Sequence, residues 1–230
     1  PKENMIVVDG CRTIKYEHLV VCPGIKLDWN KVEGLSETLG ENGVTSNYRF
    51  DLAPYTWELV KNLKKGKAVF TQPPMPIKCA GAPQKAMYMS CDHWFKEGVL
   101  NDINVEFYNT GAVLFGVKEY VPALMEYIKK YHANLNFEHQ RVKVDGKAQV
   151  ASFKKVAEPD APLVETEFDM LHAVPPQSPP DFIKVSPLVD ANGWIDVDQS
   201  TLQHKSFPNI FALGDAINAP NAKTAAAARM

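Results

Sequence analysis

Lys67 to Met89, KAVFTQPPMPIKCAGAPQKAMYM, is the stretch on which the fold turns. Ala68-Val69-Phe70 is a short apolar run that reads as a buried strand, and Pro73, Pro74 and Pro76 make the next segment a stiff loop. A helix then opens at Gly81-Ala82-Pro83, because proline in the first helical turn lacks only an N–H that has no helical partner there. Cys79 stands just ahead of that opening. The unpaired N–H groups of a helix start favour negative charge, and Lys78 is adjacent, so the thiolate that acts as a nucleophile is favoured here. A small residue packed into a loop is the competing reading for the same cysteine.

Working outward, Asp51 to Gly66 has the pattern of a helix, with Pro54 in its first turn, Trp57, Leu59, Val60 and Leu63 apolar, and Gly66 as a stop. Beyond the loop, Pro83 to Glu97 places Met87, Cys91, Trp94 and Phe95 at i, i+4, i+7 and i+8, one buried face closed by Gly98. Cys91 on that face reads as core. Ile103–Tyr108 alternates as a second strand, so 45–110 forms a β-α-β unit. Glu119 to His132 is a further helix with Val121, Leu124, Met125 and Ile128 on one side, and His132 reads as packing at its end. Phe137–Val144 and Lys147–Phe153 form a hairpin around Asp145-Gly146. The region 45–155 is thus of nucleotide-binding type, yet it lacks G-x-G-x-x-G. The loop Cys79-Ala80-Gly81-Ala82-Pro83 removes one N–H from any phosphate cradle.

The flanks follow a different pattern. Asn4–Val8 and Arg12–Lys15 form a hairpin around Asp9-Gly10. Leu19-Val20-Val21 is continuous apolar, as in a strand covered on both faces, and Cys22-Pro23-Gly24 ends it where open α/β sheets bind ligands. Phe168–Val174 is a strand running into Pro175-Pro176, and Gly193–Val197 is a short one. Asn209–Leu213 ends in Gly214-Asp215, and Lys223-Thr224 opens an Ala-rich helix. A carboxylate at such a strand end can take a ribityl or ribose hydroxyl, while a helix start faces an electron-rich group. An ordinary turn is the equal alternative. His18 and His172 lie inside strand patterns and read as core histidines.

Composition bounds the function classes. A net charge of −2 on 230 residues gives no basis for nucleic-acid binding. Four cysteines at irregular spacing, without C-x-x-C, argue against a zinc site or a disulfide scaffold. No apolar run approaches the ~20 residues of a membrane-spanning helix.

Taken together these segments resemble one flavoprotein family. Leu19-Val-Val-Cys-Pro-Gly24 resembles a flavin-domain strand, and Asn209-Ile-Phe-Ala-Leu-Gly-Asp215 resembles the late Gly-Asp motif of glutathione-reductase-type enzymes. The loop Thr71 to Lys85, with Met170 to Pro180 and Lys223-Thr-Ala-Ala-Ala227, is similar to sulfide:quinone oxidoreductases of mitochondrial and bacterial type, over essentially all 230 residues.

The resemblance implies an α/β fold of two Rossmann-like, three-layer domains. Residues 1–40 and 160–230 would form a partial FAD-binding domain, split in sequence and incomplete, and 41–159 an inserted nucleotide-binding-like domain. The FAD fingerprint would precede Pro1, and the quinone pocket wall and amphipathic membrane helices would follow Met230. The implied reaction is FAD-dependent oxidation of sulfide to sulfane sulfur or polysulfide, with electrons passed to a membrane quinone and sulfur to a small acceptor. Cys79 would be the redox-active cysteine, and Gly24, Gly214, Asp215, Lys223 and Thr224 would contact FAD. The family's second cysteine directly follows Gly-Asp, where this chain has Ala216; Cys22 as the partner, a partner beyond Met230, and a Cys79 that works with free sulfide and no disulfide are the three alternatives. Localisation would be the face of a bacterial or mitochondrial inner membrane, compatible with self-association. A type II NADH dehydrogenase-like enzyme and a non-catalytic scaffold module are the rival expectations.

Overall fold

The elements are numbered in chain order. β1 (Met5–Val8) and β2 (Arg12–Lys15) pair antiparallel. Asp9 and Gly10 both take positive φ, 53° and 71°, the backbone that a two-residue hairpin turn requires. β3 (Leu19–Val21) and β4 (Lys26–Leu27) follow. The chain then enters a second body in the computed structural model, which describes residues 1–229. These residues form two compact units, 1–27 with 177–229, and 28–176. Residues 28–40 and 160–176, grouped with the terminal domain from the sequence, belong to the central unit. Val32 and Leu35, and likewise Phe168 and Leu171, bury their side chains in the core of the central unit.

The central unit holds α1 (Leu35–Thr38), β5 (Val44–Thr45), α2 (Ala53–Asn62), β6 (Gly66–Gln72), α3 (Ala82–Lys96), β7 (Ile103–Asn109), α4 (Val121–Lys130), β8 (Asn134–Phe137), β9 (His139–Asp145), β10 (Val150–Lys155), β11 (Val164–Glu167) and β12 (Met170–His172). Its main sheet has the order β5-β12-β6-β7-β8, and every pairing is parallel. Alternate residues of each strand serve opposite cores. Ala68, Phe70, Val105, Phe107 and Met170 face a core completed by Val60, Met87, Cys91, Trp94 and Ile128 of the helices. Val69, Tyr108 and Leu171 face a second core with Val144, Ala151 and Phe153 of the antiparallel sheet β11-β10-β9. Both faces are therefore covered, which is why the run at 68–70 is continuously apolar. Helices, parallel sheet and antiparallel sheet make three layers, in keeping with the α/β class expected from the sequence.

Several details depart from the expectations. The helix read over 51–66 is shorter: 310 geometry at Phe50–Leu52 precedes α2, which ends at Asn62, and Gly66 already begins β6. Trp94 seals α3 against α2, its Nε1 donating to the Val60 carbonyl at 2.8 Å. Met87, Cys91 and Trp94 are fully buried, whereas Phe95 is exposed at the rim beneath Lys130. His132 is exposed, at φ 51°, where α4 has ended. The hairpin read over 137–153 is two structures. Phe137 ends the parallel strand β8, Glu138 at φ 57° breaks the chain, and β9 and β10 are joined by Gly146–Gln149 rather than by a two-residue turn.

The other unit completes itself with β13 (Gln177–Ser178), α5 (Asp181–Lys184), β14 (Ile210–Ala212) and α6 (Ala225–Arg229). β3 and β14 run parallel, with Val21 beside Ala212, and β4 pairs antiparallel with β13. Ile183, Ile195, Val197, Ile210, Ala212 and Ile217 form its core. β3 is not covered on both faces. β14 is its one partner among the described residues, and Val20 remains 60% exposed. His18 is exposed as well.

Candidate functional site

Cys79 ends the loop that joins β6 to α3. Gly81 is the N-cap of α3 and Pro83 lies in its first turn. The Cys79 carbonyl accepts the Ala82 N–H at 2.8 Å, closing a tight turn directly before the helix. Cys79 itself adopts φ 54°, a left-handed backbone that costs a non-glycine residue about 1 kcal/mol or more. Tyr48 holds this geometry: its buried hydroxyl donates to the carbonyls of Lys78 (2.9 Å) and Cys79 (3.2 Å). Burial, and secondly the neighbouring Cys79 sulfur, hold the Tyr48 phenol above its ordinary pKa, so it stays a neutral donor. The Lys78 ammonium lies 5.9 Å from the centre of the Tyr48 ring. Cys79 is half-buried and in no disulfide. The clamp by Tyr48 had no signal in the sequence, because it joins positions thirty residues apart.

The other expected residues gather in the terminal unit. Cys22 directly follows β3, and Gly214-Asp215 come one residue, Leu213, beyond the same end of the parallel partner β14. Cys22 is exposed and Asp215 half-buried. The Asp215 carboxylate accepts no hydrogen bond from the described residues, and a Cβ built on Gly24 or Gly214 meets nothing within 4 Å. Two open backbone positions and an uncommitted carboxylate at one end of a parallel strand pair fit a hydroxylated ligand that approaches the backbone closely.

Lys223 is turned inward. Its Nζ donates to the Ile217 carbonyl at 3.1 Å and sits 4.2 Å from the centre of the Trp194 ring. Burial lowers its pKa, opposed by the nearby Asp215 charge. Thr224 caps α6, its Oγ1 accepting the Ala227 N–H at 3.1 Å. Ala216, directly after Gly214-Asp215, is fully buried. Cys91 is core, with burial pushing its thiol up to about 12. Among the described residues no group of His, Cys, Asp and Glu is placed to hold a metal, and no helix is long and apolar enough to cross a membrane.

In sequence, a central unit built on a five-stranded parallel sheet is inserted into the terminal one. Sulfide:quinone oxidoreductase from Aquifex aeolicus shares this architecture, with a TM-score of 0.78 at 18% identity, over 97% of this chain and 52% of that one. That likeness carries the fold. In sequence, the chain is 41% identical over 227 residues to mitochondrial sulfide:quinone oxidoreductase of Mus musculus. It is 42% identical over 229 residues to that of Dictyostelium discoideum, in both cases over 99% of this chain and 50% of the relative. Along essentially its whole length the chain is thus similar to sulfide:quinone oxidoreductases, and it spans about half the length of these curated relatives. No family model matches it.

Proposed function

We propose that this chain supplies the reactive-cysteine portion of an FAD-dependent enzyme that oxidises sulfide to sulfane sulfur and passes two electrons to a membrane quinone. The observation that carries this reading is the similarity of this chain, over 99% of its residues, to a sulfide:quinone oxidoreductase at 41% identity, a span that includes the loop around Cys79. Bound FAD would supply the two-electron relay between the cysteine sulfurs and quinone. Asp215 would accept ribityl hydroxyls, and Gly24 and Gly214 would leave room for the cofactor beside the strand ends. Thr224 would fix the start of α6, and Lys223 would hold the preceding loop by its internal contacts.

In the oxidised state Cys79 is paired in a disulfide with a second cysteine, for which Cys22 is our candidate. Hydrosulfide attacks the Cys79 sulfur, the disulfide breaks, and a new S–S bond forms on Cys79 as the second cysteine leaves as thiolate. In the net reaction hydrosulfide loses two electrons and a proton, and quinone takes two electrons and two protons. The sulfane sulfur then leaves on a small nucleophilic acceptor or as polysulfide. The Tyr48 clamp keeps the Cys79 turn in one geometry while its sulfur changes partners. Quinone as acceptor puts the working enzyme at the face of a bioenergetic membrane, bacterial or mitochondrial.

The test is spectroscopic. The chain incubated with FAD should retain a yellow chromophore that sulfide bleaches and NADH does not, and Cys79→Ser should abolish the bleaching while the flavin stays bound. Absence of retained flavin, or bleaching by NADH, would count against the reading. Full turnover by Cys22→Ser would remove Cys22 as the partner.

A further inference from the structure

Among the described residues, Arg141 is a buried cation without a counter-charge. By simple alternation in β9, Val144 and Val142 would point inward and Arg141 outward. The pairing with β10 shifts between Ser152 and Phe153, so that Lys143 and Arg141 oppose consecutive residues and Val142 is the extra one. Such a bulge turns the next side chain to the other face. Arg141 is accordingly only 6% exposed. Its Nη1 donates to Thr71 Oγ1 at 2.6 Å and its Nη2 to the Val174 carbonyl at 3.0 Å, both neutral acceptors. Its Nε has no partner among the described residues. Burial alone acts on its ionisation, pulling the pKa down to about 9, so the group is charged at neutral pH. A buried charge left uncompensated is among the costlier features a fold can carry.

This cation lines a narrow pocket with Thr71, Gln72, Pro73, Tyr108 and His139, beyond the carboxyl end of β6 and at the base of the loop that carries Cys79. Ligands bind in this part of open parallel sheets. Gln72 is a second unsatisfied group, since its buried Oε1 has no partner. The Gln72 side chain lines the same pocket. The pocket has room for about one water-sized group, so sulfate, phosphate and the pyrophosphate of a nucleotide are too large.

We propose that the pocket is a binding site for one small monovalent anion of halide or hydrosulfide size, held by the Arg141 guanidinium and the Gln72 side-chain amide. One positive charge and one small space define the class. The choice of hydrosulfide over chloride rests on the sulfide reading above, whereas the anion site itself does not.

The experiment is a chloride titration of the full chain followed by 35Cl NMR line width, at constant ionic strength maintained with gluconate. Saturable broadening is expected, reduced at least tenfold in Arg141→Met and weakened in Gln72→Leu. Equal broadening in wild type and in a folded Arg141→Met variant would overturn the site. Should Arg141→Met fail to fold, absence of saturable broadening in the wild type, or no change in Gln72→Leu, does the same. Sodium hydrosulfide should reverse the broadening. Chloride binding that hydrosulfide does not displace would overturn the hydrosulfide assignment alone, and sulfide bleaching of the flavin, read separately, reports on the Cys79 chemistry.

Discussion

Cys79 departs from the other three cysteines in backbone rather than in exposure alone. It takes a left-handed conformation in a turn clamped by Tyr48, while Cys11 and Cys22 lie exposed and Cys91 is sealed in the core. Alkylation with iodoacetamide should separate them. Cys11 and Cys22 should react rapidly in the native chain, and Cys91, with burial holding its thiol at about 12, should react only after denaturation. Peptide mapping by mass spectrometry reads the order, and native labelling of Cys91 would contradict the packing. Gly34 makes a second prediction at this scale. Its φ is 72°, and an added Cβ would stand 2.1 Å from the Val144 carbonyl oxygen. Backbone cannot swing aside as a side-chain tip can, so Gly34→Ala should cost roughly 2–4 kcal/mol. Gly10→Ala, where a Cβ meets nothing, should cost only about 1 kcal/mol. Urea midpoints of the two variants compare them.

Helix α3 and strand β12 show how single elements carry both packing and chemistry. Trp94 fills the core and ties α3 to α2 through the Val60 carbonyl. Trp94→Ala should therefore cost about 3–5 kcal/mol in chemical denaturation. On β12, His172 is fully buried against Phe70, its Nε2 accepting the Asn47 N–H at 2.9 Å. It is thus core, but half-satisfied, since its Nδ1 has no partner. Burial, reinforced by the Arg141 charge, lowers its pKa to about 4. The unfolded chain binds this proton near pH 6.5 and the folded chain only near 4. Stability is therefore complete above about pH 6.5 and falls as pH drops towards 4, by up to ~3 kcal/mol. Urea unfolding at pH 7, 5.5 and 4.5 should show the decline, and His172→Gln should flatten it. An unchanged slope in that variant would assign the pH dependence elsewhere.

At the scale of the whole molecule the two units differ in how they are held. The central unit has two cores on either side of a five-stranded sheet, whereas the terminal unit has one smaller core and strand pairs only. Amide exchange should follow this difference. The slowest amides are expected in β6, β7 and β12, and those of β3 and β14 should exchange through openings of lower free energy. Slower exchange in β3 than in β6 would contradict it.

Local pattern was enough for the α/β class, the strand at 68–70, the helix opening at Pro83 and the buried stripe of Met87, Cys91 and Trp94. Each depends on spacing within one element and on residues whose backbone preference is strong. The loop around Cys79 was legible for the same reason, since prolines and a helix start sit within a dozen residues. What the tertiary structure alone decided are the features made by residues far apart in the chain. Tyr48 reaches the Cys79 turn from thirty residues away. β12 inserts between β5 and β6 across a hundred residues and carries its segment into the central unit. A bulge against β10 turns Arg141 from the outward face that alternation assigns it to the inside, and no count along β9 could show that. Periodicity reports which face a residue would take in a regular strand, while the partner strand's register decides which face it takes in fact.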